Sequence, residues 1–299
     1  MMFAMPAAAQ SLRDTVAGAR LGPGYAQILN IAATPDISAA HYDVQNSGFS
    51  VDVLRIPYES RWLTLSKDAD LYWRIAGGYL TAQDDFAVNV PSAGAGSISS
   101  KWSAYSLMGG LLAKIRLGNG FTLLPALDVG VARLDNRADY TGAATQLQPA
   151  LDGLLFNWDT SASLVTPNAG LEWTMAEPDR SITIRGHVAW SWISTFEESD
   201  PVLKFHETAG VYSVQAERVA STGVQLFERP LGWVIYGGYA GFFGANRDAL
   251  GFTSVAELGL GAEAPISTSA EKSQRVRLGV GYLFGSNVRG WTVSLGMKY

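Results

Sequence analysis

The sequence predicts an all-β protein: a transmembrane antiparallel up-and-down β-barrel of about twelve strands with a short N-terminal helical segment. Three observations lead there: a two-faced final strand, a composition with no spanning helix, and a repeated run-turn-run-loop pattern. In the last nine residues Trp291, Val293, Leu295, Met297 and Tyr299 are large and apolar, and those between are small or polar. Strand side chains alternate sides, so this stretch has one greasy and one wet surface. Nine residues is also about the length on which a tilted strand crosses a bilayer, with Trp291 and Tyr299 placed where interfacial aromatics sit.

Of the 299 residues only 16% are charged and 11% aromatic, with 32 Gly and 9 Trp. No uninterrupted apolar run reaches the roughly 18 residues of a spanning helix, which disfavours a helical membrane protein. The chain has no cysteine, so disulfides and thiolate metal sites are excluded. A net charge of −5 without a basic tract argues against nucleic acid as partner. No zinc spacing, phosphate loop or nucleophile elbow appears, and no cofactor is predicted.

The N-terminus, Met1 to Ala9, reads as the tail of a secretory signal peptide, with Ala7 and Ala9 as small residues of a cleavage pattern and the charged front missing. Residues 10–35 lack period-2 alternation. Ser11 followed by Asp14 suggests a helix start with Leu12, Val16 and Ala19 on one face, broken at Gly22-Pro23-Gly24; Tyr25 to Ala33 reads equally as helix or strand. This segment either lies on the periplasmic rim or enters the lumen as a plug, or it is a tether.

Residues 36–299 form the barrel domain. Tyr42 and Val44 lead to Asn46-Ser47-Gly48, a tight turn, then Phe49, Val51 and Val53 alternate with Ser50 and Asp52. Leu71, Trp73, Ile75, Gly77 and Tyr79 oppose Tyr72, Arg74, Ala76 and Gly78; a loop is expected from Asp84 to Ser100. Tyr105, Leu107, Leu111 and Ile115 oppose Ser106, Met108, Lys114 and Arg116, and Gly118-Asn119-Gly120 turns the chain. Phe121, Leu123, Leu127, Val129 and Val131 then oppose Thr122, Ala126 and Asp128, with Pro125 marking a bulge or kink before a loop from Asp135 to Trp158.

Leu171, Trp173 and Met175 lead through Glu177-Pro178-Asp179 to Ile182, Ile184, Val188, Trp190 and Trp192, which oppose Thr183, Arg185, His187 and Ser191. A charged loop, Glu197 to Glu207, precedes a poorly patterned run, Val211 to Phe227. Trp233, Ile235 and Tyr239, then Leu258 and Leu260, then Leu278, Val280 and Tyr282 complete the apolar sets before the final strand. With the C-terminus in the periplasm, the turns near Lys272, Arg229, Pro178, Asn119 and Ser66 fall on that side and the longer loops outside.

The apolar sets hold almost no charge, whereas Arg74, Lys114, Arg116, Asp128, Arg185, Glu257, Glu263, Arg275, Arg277 and Lys298 lie on the opposite face. A charge at the bilayer midplane costs about 2–4 kcal/mol, so grease faces lipid and these charges face a wet lumen.

The terminal aromatic with apolar residues at alternate positions upstream resembles the C-terminal signature of bacterial outer-membrane barrels. Together with the preceding helical segment and strand number, the chain is similar to the translocator domain of autotransporters. Nearest is the solitary autotransporter-like barrel family, which keeps the barrel and lacks the secreted cargo. The resemblance implies an integral outer-membrane location, contact with outer-membrane lipid, and engagement of the barrel-assembly machinery through Trp291 to Tyr299. In that class lumen glycines face aromatics on the next strand; Gly77-Gly78, Gly109-Gly110 and Gly237-Gly238 are similar placements.

Three functions stay open: a structural or surface-interaction barrel, a small-solute pore suggested by mixed lumen charges, and an outer-membrane lipid-modifying or protein-cleaving enzyme. For the last, His187 shares a lumen face with Ser191 and Arg185 but stands two strand steps from the serine; His206 and Asp84-Asp85 sit at the outer rim. These are read as ordinary polar residues, and no enzyme is expected.

Overall fold

The computed structural model describes residues 24, 26, 28, 39–45, 49–91, 93–226, 229–244, 247, 250–265 and 275–298. Twelve strands run β1 (Ala39–Val44), β2 (Phe49–Ser66), β3 (Ala69–Val90), β4 (Gly94–Gly118), β5 (Phe121–Gly142), β6 (Trp158–Glu177), β7 (Arg180–Phe196), β8 (His206–Leu226), β9 (Arg229–Phe243), β10 (Ser254–Pro265), β11 (Arg275–Phe284) and β12 (Val288–Lys298). Each pairs antiparallel with its sequence neighbours, and β1 pairs with β12, from Ala39 opposite Val293 to Val44 opposite Val288, closing the barrel. Closure leaves no open edge within the lipid, where an unpaired backbone group would have no water to bind. Among the described residues no helix is long and apolar enough to cross a membrane, which does not bear on strands.

The alternation places the large apolar residues outside. Trp73, Leu107, Leu127, Val129, Trp192, Ile235, Leu260, Val280, Trp291 and Leu295 are all exposed. On β5 the outward row is apolar from Phe121 to Val131 and then turns to Arg133, which pairs with Asp159 of β6 at 2.9 Å. Ten steps of ~3.3 Å, tilted by about 40°, give a band of about 25 Å, the height of an outer-membrane belt. Aromatic pairs flank this band: Phe121–Trp173 and Tyr58–Trp73 toward one end, Tyr79–Tyr105 and Trp190–Phe243 toward the other.

Four of the five connections at the end bearing the C-terminus are two residues long, the fifth being 266–274, and the longest connection, 143–157, lies at the opposite, extracellular end. At Gly118-Asn119-Gly120 three successive residues have positive φ, of 88°, 52° and 82°, a backbone that glycine and asparagine adopt with little strain.

Several expectations change. The segments expected as loops from Asp84 to Ser100 and from Asp135 are mostly strand, because β3 runs to Val90, β4 starts at Gly94 and β5 reaches Gly142. Their outward residues, such as Asp85, Ser99 and Asp139, are polar, so the apolar alternation that marks a lipid-facing strand is missing there although the pairing continues. The remainder of 135–158 holds a 3-10 turn, Ala143–Leu147, and a helical turn α1, Gln148–Leu151. The poorly patterned run is strand as far as Leu226, as β8, and Phe227 lies outside the described residues. Pro125 makes no bulge: it pairs with Ala169, and the β4–β5 register is the same on both sides of it.

Tyr42, Val44, Val51 and Val53 are buried in the interior rather than turned to lipid. The side chain of Met297, that of Lys298, all of Tyr299, the turns at Asn46 and Lys272, and residues 1–23 lie outside the described residues.

Candidate functional site

The lumen is the chemically differentiated part of the barrel, and it divides into two tiers. In the tier toward the extracellular end, Val53, Leu80, Ala104 and Leu134 stand side by side on β2 to β5, each at most 4% exposed. Leu164, Ile193, Leu203, Leu283 and Val288 belong to the same apolar cluster. Gly24, Ala26 and Ile28 are helical, and Ala26 (0% exposed) and Ile28 (5%) are members of that cluster. Part of the N-terminal segment therefore packs inside the barrel.

The other tier is polar and charge-balanced. Arg74 reaches across β4 to Asp128 of β5, with Nε 2.7 Å from Oδ1, and donates to Asn168 Oδ1 at 3.1 Å, while Asn168 Nδ2 donates to Asp128 at 2.7 Å. Gly110 lies between them, and a Cβ there would collide with the Asp128 carboxylate. On the opposite wall Arg277 binds both Glu217 and Glu263, the latter at 2.8 Å, and Arg275 also holds Glu263 at 2.6 Å. Lys114 pairs with Glu59 at 2.6 Å while its ammonium lies 4.1 Å from the Tyr72 ring centroid. Arg116 binds Asp70 at 2.8 Å, and Arg185 binds Glu172. Glu257 accepts a hydrogen bond from Thr292. Cross-strand pairing of this kind satisfies charges that would be costly alone in a partly dry cavity.

Nine of the ten charged residues read from the sequence as lumen-facing lie on the inner face, and the side chain of the tenth, Lys298, is outside the described residues. The sequence reading missed their partners Glu59, Asp70, Glu172 and Glu217, and Asn168. Asp70 and Glu172 share the parity of Arg74 and of the polar face of β6, a signal already present; Glu217 sits in the strand whose alternation is weakest. The glycine–aromatic placements expected at Gly77, Gly109 and Gly237-Gly238 do not form. Nothing aromatic is close to Gly77, Gly109 or Gly238, and Gly237 meets Leu258. Instead the Tyr236 ring lies over Gly259, Gly279 and Gly281, where side chains would collide with or crowd it.

Of the outer strand, Trp291 and Leu295 are exposed on the lipid side, and Val293 is half-buried. Ser191 is hydrogen-bonded to Thr166 at 2.9 Å. His206 starts β8, where its Nδ1 lies 3.0 Å from Ser194 Oγ in an exposed pair. Among the described residues no cluster of three or more His, Asp or Glu could hold a metal ion.

Above the lipid band, β3, β4 and β5 continue as an extracellular sheet with its own apolar cluster. Ile98 of β4 packs with Ala144 and Leu151 of the 143–157 connection, joined by Val88, Tyr140 and Phe156. That connection is pinned down by Asp152, which accepts from Tyr140 Oη (3.0 Å), Asn157 Nδ2 (2.6 Å) and Gln148 Nε2 (3.0 Å). Burial raises the pKa of the Asp84 carboxyl from its ordinary value, and the neighbouring Asp85 charge acts in the same direction.

Solved structures share this architecture. The translocator domain of the autotransporter NalP from Neisseria meningitidis superposes with a TM-score of 0.52 at 12% identity, covering 98% of this chain and 99% of that one. The transport unit of the autotransporter AIDA-I from Escherichia coli gives 0.52 at 13%, covering 93% and 97%. The β domain of the Bordetella autotransporter BrkA gives 0.51 at 14%, covering 87% and 95%. At such identities the likeness concerns the fold. No curated protein matches the chain in sequence. Residues 30–297 match the family described as solitary outer membrane autotransporter β-barrel domain. With nearly the whole closed barrel inside that match, the chain belongs to this family and is an integral protein of the bacterial outer membrane.

Proposed function

We propose that this barrel acts as a closed, membrane-embedded platform that displays its extracellular sheet, and not as an open pore. The observation that carries the reading is the apolar tier: inward side chains from strands around the barrel and the helical residues Ala26 and Ile28 form one cluster. Water and ions crossing it would lose their hydrogen bonds without replacement. The N-terminal segment is then a plug, and the balanced ion pairs of the other tier fix the wall beneath it. In planar bilayers the intact protein should pass almost no current, and deletion of residues 10–35 should yield stepwise conductance. Steady conductance by the intact protein would overturn the reading.

Two further parts belong to the proposal. Outer-membrane lipid is the solvent of the exposed Leu, Val and Trp rows; the barrel-assembly machinery engages β12, whose alternation Trp291, Val293, Leu295 supports that role. The barrel is non-catalytic, which the engagement of Ser191 by Thr166 supports. Phospholipid or peptide hydrolysis above background that disappears in His206→Ala or His187→Ala would sink this second part.

A further inference from the structure

The β1–β2 hairpin is low and the β3–β4 hairpin is tall. Pairing between β2 and β3 ends at Ser50 opposite Gln83, while β3 remains paired with β4 as far as Val90 opposite Gly94. Residues 84–90 therefore have β4 on one side and, among the described residues, no strand on the other. Natural sheets protect such edges with lysine, proline, a bulge or a covering segment. This stretch, Asp-Asp-Phe-Ala-Val-Asn-Val, has no lysine or proline, carries its two charges only at the base, and keeps an unbroken register with β4. It is also firm, since the cluster of Ile98, Val88 and Phe156 backs its inner face.

The edge carries its own chemistry. Phe86 on the inner face is 40% exposed although it touches Phe156. Asp84 and Asp85 stand together at the base of the edge, and no lysine or arginine among the described residues pairs with either. Asp85, Ala87 and Asn89 share the outer face, and Phe86 and Val88 the inner one.

We propose that β3 from Asp84 to Val90 is a strand-addition site for an extended, basic peptide segment of another protein. Main-chain hydrogen bonds along the edge would supply the binding, a basic side chain would face Asp85, and apolar side chains at alternate positions would cover Phe86 and Val88. The acidic base of the edge is what selects a basic occupant. The inference rests on the platform reading only in taking this end of the barrel as displayed. Conductance measurements test that reading separately, because they do not involve this edge.

The test uses the full chain in zwitterionic nanodiscs and a capped nonapeptide alternating lysine and valine, with binding read by fluorescence anisotropy. That peptide should bind at least about tenfold more tightly than its glutamate–valine counterpart, and N-methylation at alternate residues, tried in both phases, should abolish binding in one or both. The double variant Asp84→Asn/Asp85→Lys should reverse the preference between the two peptides, and a regained glutamate–valine interaction shows that the variant is folded. Equal affinity for both peptides, or binding indifferent to N-methylation in both phases, would overturn the proposal. The chain has no cysteine, so Ala87→Cys supplies a single thiol on the edge. Disulfide-linked dimers of this variant would also overturn the proposal, by showing that a second copy of the chain occupies the edge; a persistent monomer that still binds the peptide supports it.

Discussion

The Arg74–Asp128 pair shows how much of the lumen depends on a residue with no side chain. Both partners are largely buried, with side chains 16% and 10% exposed, and Arg74 reaches Asp128 over Gly110. Removing the acid strands a guanidinium, so Asp128→Ala should cost about 3–5 kcal/mol in urea unfolding from vesicles. Gly110→Val should destabilise by a steric route, because a Cβ there would meet the Leu127 carbonyl oxygen as well as the Asp128 carboxylate, and its effect should shrink only in part in the Asp128→Ala background, as a double-mutant cycle would register. The inward direction of Arg74 and Asp128 was legible from strand parity. The bridge across β4 was not, because parity gives a face and says nothing about which distant strand a long side chain reaches. Asp84 yields a pH effect of opposite sign to a salt-bridged acid. Its raised carboxyl pKa means that the folded edge holds a proton more tightly than the unfolded chain does. Ionisation therefore weakens the edge as pH rises through that value, and stability returns as pH falls. Hydrogen exchange of the amides at 84–90, corrected for intrinsic rates, should show less protection at neutral than at mildly acid pH. Asp84→Asn should flatten that dependence.

At the level of the strand, the apolar row of β5 makes a graded prediction. Leu127→Arg places a charge near the middle of the outward row and should cost about 2–4 kcal/mol, whereas Val131→Arg, at its upper limit beside Arg133, should cost about 0–1 kcal/mol. Equal penalties at the two positions would mean that the lipid band is not where the sequence alternation sets it. On β12, Leu295→Arg should impair assembly into the membrane, read as loss of the heat-modifiable folded species. The number of strands and the turn at Gly118-Asn119-Gly120 were readable because lipid enforces an alternation and a tight turn enforces its residues. The upper halves of β3, β4 and β5 were not. β5 has 22 residues, and a tilted strand needs only about 9–11 to cross a bilayer, so roughly half of it projects into water, where outward residues are free to be polar. Pairing there is held by neighbouring strands and by the Ile98 cluster, interactions that leave no local period.

Across the whole molecule the wall is uneven and the lumen is graded. β3 and β4 have 22 and 25 residues, against 10 and 11 for β11 and β12, so one side stands tall above the membrane while the other ends near it. The tall side carries the rigid extracellular sheet and its free edge; the apolar tier lies below. If that tier and the N-terminal segment both close the lumen, deleting residues 10–35 should open it partly, and adding Leu80→Ser and Leu134→Ser should raise the conductance further. No increase from the added serines would assign closure to the N-terminal segment alone. By itself the sequence determined which face of each membrane strand meets lipid, since hydrocarbon admits almost no charge and imprints that exclusion on every second residue. Only the closed barrel decided what fills the inside. An inward position near the extracellular end meets other apolar side chains, as Tyr42 and Val51 do, and one nearer the C-terminal end meets an ion pair from two strands away. Those neighbours are set by closure and register, which join residues far apart in the chain.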